Sequence, residues 1–188
     1  YFFSKELSIE NDKYQAIDNI AKKTIYEDIG LLHKLKTPTL YSIEQAFKFI
    51  LNSAPGELNT NTLANLLSKS YDQTTSFIQW LEQSGLIICL ENNKRGKAFI
   101  KTTKKLLPEN TNLMYAAYLP QTEEQMIGKV REAFFANQFK NAKQKIFYSK
   151  TGDFESDKFI FEIGGKNKSN HQIKSEKNAF VVADDILV

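Results

Sequence analysis

Between Thr60 and Lys101 the chain orders its apolar and polar residues in a way that few folds accept. Thr60 to Leu67 reads as a short helix with Leu63, Leu66 and Leu67 on its buried side, and Ser68-Lys69-Ser70 breaks it. Asp72 to Gln83 reads as a longer helix carrying Phe77, Ile78 and Leu81 inward, and Gly85 stops it. Leu86-Ile87-Ile88-Cys89-Leu90 is an apolar run of strand length, Glu91 to Gly96 is a polar tip, and Lys97-Ala98-Phe99-Ile100-Lys101 is a second strand. Short helix, tight turn, longer helix, strand, polar hairpin, strand is the order of a winged helix-turn-helix.

The flanks extend this reading. Ile17, Ile20, Ala21, Ile25 and Ile29 share one face of a helix over 13–32, with Gly30 as its C-cap. Leu35 to Thr39 is a connector. Ser42 then caps a helix that turns Ala46, Phe47, Ile50 and Leu51 inward and ends near Pro55-Gly56. Lys104 to Pro120 is transitional, and after it the character changes. Glu123 to Phe139 is a long helix with Met126, Ile127, Val130, Phe134 and Phe135 on its core side. Strands follow at Lys145–Tyr148, Phe159–Ile163 and Ala179–Ala183, the last two separated by a short helix around Asn170 to Ser175. The fold class is α+β: a helical lead-in over 1–39, a winged helix over 40–119 and a small α/β domain over 120–188.

Composition excludes several alternatives. Of the 188 residues, 41% are hydrophobic, far too many for a disordered chain. Apolar runs of four to six residues fall well short of the ~18 that a membrane helix needs, so no membrane is expected. The single cysteine, Cys89, cannot form an internal disulfide framework, no zinc spacing occurs, and a reduced, cytoplasmic setting follows. Tyr1-Phe2-Phe3 is neither an initiator nor a leader, and the chain reads as a piece of something longer. His33 and His171 lack a ligand pattern and take no role.

The net charge of +3 conceals a local excess. Lys94, Arg95, Lys97, Lys101, Lys104 and Lys105 crowd the hairpin with no acid among them, where a winged helix grips phosphates. On the outer face of the presumed recognition helix, Gln73 and Ser76 are the residues for base contact. That face has no Lys or Arg, and Asp72 and Glu82 oppose phosphates. Two partners therefore stay open, DNA and another protein, as does the oligomeric state. Trp80 belongs to the core rather than to a stacking platform.

In the second half, Asp157-Lys158 serves as the two-residue turn of a hairpin. Asp153 and Glu162 are then equidistant from its centre and face each other. Directly opposed residues have Cβ atoms about 4.5–5.5 Å apart, and like charges there need compensation. Mg²⁺ or a lysine would supply it, and the bend at Gly164-Gly165 makes Lys166 the nearest candidate. Two carboxylates that hold Mg²⁺, beside a lysine, form the set used for metal-assisted phosphodiester cleavage.

Several strings also resemble a group of bacterial and archaeal AAA-family ATPases: Gly152-Asp153-Phe154, Phe161-Glu162-Ile163-Gly164-Gly165-Lys166-Asn167-Lys168, Gln172-Ile173-Lys174 and Ala183-Asp184-Asp185-Ile186. Tyr26-Glu27-Asp28-Ile29, Leu58 to Leu90 and Ile127 to Phe135 are similar too. In that family a P-loop ATPase is followed by a winged helix and a restriction-endonuclease-like region of uncharacterised function. The resemblance implies that Asp153 and Glu162 match the two acidic positions, as metal and catalytic candidates, with Lys166 as the lysine. It also implies that ATP belongs to a missing N-terminal domain, because no G-x-x-x-x-G-K-[ST] occurs in these residues. The nuclease pattern wants acid, any residue, lysine, and here Gly164 stands in the lysine's place. The expectation is therefore a nucleic-acid- or partner-binding portion of an AAA-type ATPase that retains the nuclease fold without cleavage. The alternatives are a Mg²⁺-dependent nuclease using Asp153, Glu162 and Lys166, and an assembly module.

Overall fold

The computed structural model describes residues 10–54, 56–93, 103–117 and 123–183. Helix α1 (Glu10–Lys23) continues through a π-helical stretch (Thr24–Ile29) and a last α-helical turn (Gly30–Leu32). Gly30 does not end the helix: its φ of −57° is helical, the helix runs on to Leu32, and a Cβ at Gly30 would approach Leu40 Cδ1 to 3.3 Å, so its smallness admits the next helix. That helix, α2 (Thr37–Asn52), begins five residues before Ser42. Pro38 causes the difference, because proline fits the first helical turn, where its missing N–H would have no partner anyway. Ser42 instead lies inside the helix and donates its hydroxyl to Pro38 O.

Strand β1 (Glu57–Leu58) leads into α3 (Thr60–Leu67) and α4 (Tyr71–Gln83). In α3, Leu63 and Ala64 are buried while Leu66 is exposed, because the packed stripe is narrower than the three leucines suggest. Ser70 and Gln73 form a reciprocal capping box that fixes the start of α4. Gly85, at φ +75°, supplies the left-handed turn that reverses the chain into β2 (Ile87–Leu90). The partner of β2 is β3 (Lys104–Pro108), with Ile87 opposite Pro108 and Leu90 opposite Lys105. Part of the presumed transitional segment is therefore a strand, while Lys97–Lys101 lies outside the described residues. With β1 pairing β3 on its other edge, the sheet order is β1-β3-β2, and it lies beside α2, α3 and α4. Ile25, Ile43, Phe47, Leu63, Phe77, Leu81 and Ile87 fill its core.

A short helix α5 (Asn112–Ala116) precedes α6 (Glu123–Asn141) and a mixed sheet of β4 (Phe147–Tyr148), β5 (Phe154–Ser156), β6 (Phe159–Gly164) and β7 (Ala179–Ala183). Its order is β4-β5-β6-β7, with only β6 and β7 parallel. Turns, not a helix, occupy 171–175. Phe135 of α6 stacks on Phe154 and tilts against Phe161, at 5.4 and 5.2 Å between ring centres. Phe134, by contrast, is 59% exposed. The residues that α6 buries are Lys129, Glu132, Ala133 and Ala136, a face that apolar spacing does not reveal.

The two halves share a core. Ile88, Leu90 and Leu107 of β2 and β3 cluster with Ala133, Ala136, Tyr148, Phe154 and Ile163. The expected boundary near residue 120 falls among residues outside the description. Among the described residues no helix is long and apolar enough to cross a membrane.

Candidate functional site

The hairpin register places Ser156 opposite Phe159 and Phe154 opposite Phe161, and Asp153 lies just beyond this last pair, beside Phe161 and Glu162. Asp153 sits just before β5, anchored by its N–H to Phe161 O (2.9 Å). Its Oδ2 accepts from the N–H of Ile163 at 2.7 Å. Glu162, in the middle of β6, is 1% exposed.

Both acids are met by lysines, but not by Lys166, which is exposed on the turn after β6. Lys168 Nζ lies 2.6 Å from Glu162 Oε1. Gln172 adds a donor to Glu162 Oε2 at 3.0 Å, in the amide orientation that its neighbours require. From the other half of the molecule, Lys105 Nζ lies 2.5 Å from Glu132 Oε2 and 3.7 Å from Asp153 Oδ1, above the ring of Phe154. Lys105 was expected among the phosphate-gripping residues of the hairpin. It is instead a buried counter-ion, 6% exposed at its side chain.

The result is a line of charge running through Glu132, Lys105, Asp153, Glu162 and Lys168. Burial pushes the Glu132 carboxyl above its ordinary value, and Asp153 adds to this while Lys105 opposes it. Burial pulls the Lys168 ammonium down, yet Glu162, Asp153 and Glu132 together hold it above 10.5. Carboxylate oxygens are the donors that Mg²⁺ prefers. Among the described residues no three acids, histidines or cysteines are grouped to hold a metal between them. Mg²⁺ commonly uses only one or two carboxylates plus waters and phosphate oxygens.

The nucleic-acid candidates fare differently. Lys94, Arg95, Lys97 and Lys101 lie outside the described residues. Lys104 is half-buried and pairs with Glu91 at 3.3 Å. Gln73 is engaged in the capping box, and the Ser76 hydroxyl donates to Asp72 O within its own helix. Trp80 packs at the edge of the core against His33 and Phe77.

Sequence reasoning singled out Asp153 and Glu162 but missed Glu132, Lys105 and Lys168. The only sequence signal for Glu132 and Lys105 is an odd charge at a position that helical or strand spacing would otherwise bury. No protein-family model matches the chain, and no curated protein matches it closely enough to count as a relative.

Proposed function

We propose that the chain engages nucleic acid and that its α/β half hydrolyses phosphodiester bonds with Mg²⁺ held by Asp153 and Glu162. The supporting observation is the pair itself: one carboxylate just before β5 and one in the neighbouring strand β6, with Glu132 and two lysines arrayed along the same line. A bound Mg²⁺ would polarise the phosphate and lower the pKa of a bound water. In this reading Asp153 and Glu162 supply the oxygens, the Ile163 N–H fixes the Asp153 carboxylate, and Phe154 and Phe161 keep water from one side of the strand pair. The winged helix would bring the duplex through its basic hairpin, as the C-terminal portion of an AAA-type ATPase.

One observation favours a second reading, a binding portion without catalysis. Glu162 is buried beneath Lys168 and Gln172, and the lysines already neutralise most of the acid charge. Supercoiled plasmid with Mg²⁺ or Mn²⁺ separates the two. Nicking that disappears in Glu162→Gln is expected. A folded protein that nicks under neither metal leaves the binding portion as the function.

A further inference from the structure

We infer that Lys168, not Lys166, is the lysine of the candidate centre, and that it reaches Glu162 through the gap left by Gly164. In a strand, residues i and i+2 point to the same face, so a side chain at 164 would emerge beside that of Glu162. Gly164 leaves that space empty, and the stem of Lys168 fills it: a Cβ built on Gly164 would lie within 2.5 Å of Lys168 Cβ and Cδ. The chain turns at 165–168, where the Lys168 N–H donates to Gly165 O at 2.8 Å, and this turn folds Lys168 back over β6. Its ammonium ends 2.6 Å from Glu162 Oε1, on the carboxylate of the residue two positions before Gly164. The turn projects Lys166 outward instead. A residue two positions past a second acid is thus replaced by one six positions past it, at no loss of charge. Gly164 is required by the substitution, because any side chain there would collide with the stem.

The chemistry of this inference rests on the phosphodiesterase reading; the placement of Lys168 does not. Lys168 acts here as a positioning residue, holding Glu162 and offering positive charge beside it. Two measurements keep the two claims apart: plasmid nicking with Mn²⁺, and Mn²⁺ binding followed by the rise in melting temperature. Lys168→Gly should reduce nicking by about 100-fold or more, within the range by which positioned charge acts, whereas Lys166→Ala should leave it within about twofold. The swap Gly164→Lys with Lys168→Gly should restore at least a tenth of the wild-type rate, because the glycine at 168 removes the atoms that a side chain at 164 would meet. A purely structural role for Lys168 predicts no such rescue. The inference fails if Lys166→Ala is as damaging as Lys168→Gly, or if the folded swap stays inactive. If the wild type does not nick, the hydrolase reading falls and the metal measurement decides. Lys168→Gly should then alter the Mn²⁺-induced shift, since Glu162 has lost its ammonium, while Lys166→Ala should not. Identical shifts in both variants would overturn the placement.

Discussion

Two lysines are buried where the first half of the molecule, with its β1-β3-β2 sheet, meets the second, and the molecule accommodates them by different means. Lys105 reaches from β3 into carboxylates, Glu132 and Asp153. Lys129 reaches from α6 into uncharged oxygens: it is 1% exposed and donates to Ile50 O and to Ser53 O (2.6 Å), carbonyls at the end of α2. A cation there matches the negative end of the helix dipole and satisfies orphan carbonyls, but dipoles compensate desolvation less than a full charge does. Burial accordingly pulls the Lys129 ammonium down to about 8, against some support from Glu132. The same residue type thus forms a salt bridge in one place and a reluctant helix cap in the other.

The largest loss is expected at Lys105. Lys105→Met should destabilise the protein by roughly 3–5 kcal/mol, since removing one partner of a buried pair strands the other charge. Adding Glu132→Gln should recover a large part of that loss. Urea unfolding of the single and double variants at pH 7 checks both statements, and a double variant no better than the single would mean that the pairing energy lies elsewhere.

Lys129 sharpens the contrast through pH. Its proton is held to about 8 in the folded protein and to its ordinary 10.5 when unfolded. Between these values the unfolded state binds more protons, so stability should rise with pH. The gain over Lys129→Met is on the order of 3 kcal/mol across that window. Unfolding free energies of both proteins at pH 8 and pH 10 test this, and a constant difference would refute it.

Lys168 should show the smallest effect and the opposite trend. Its ammonium is held above the ordinary value, so its stabilisation is present below 10.5 and lost as pH rises through the folded value. Its side chain is 33% exposed, and Gln172 also donates to Glu162, so Lys168→Met should cost about 1 kcal/mol at pH 7. A loss as large as that of Lys105→Met would show that Gln172 contributes nothing.

Much of the fold was readable along the chain because it rests on local signals. Thr60–Leu67 and Ala179–Ala183 match their predicted spans, each being an apolar run with polar boundaries. The Asp157-Lys158 turn and the register it sets, with Phe154 opposite Phe161, are as read from the sequence, and Asp157 adopts the left-handed φ of 51° that such a turn needs. What stayed hidden depends on contacts between distant segments. Lys104-Lys105 made a buried strand look like a loop, because the acid that compensates Lys105 lies 27 residues later in α6. The buried face of α6 was misjudged for the same reason, since it carries Lys129 and Glu132 while Phe134 faces out. Lys168 was missed because spacing along a strand says nothing of a side chain that doubles back through a turn.

The shared cluster of Ile88, Leu90 and Leu107 with Tyr148 and Phe154 bears on how the chain folds. None of these residues can be sheltered until segments about 40 to 65 residues apart have met, so helices α3 and α4, whose contacts are local, can form early while the sheet of the second half must wait for β2 and β3. Because β2, β3 and the second sheet shelter one another's side chains, opening either one exposes the other, and the expectation is that they unfold together.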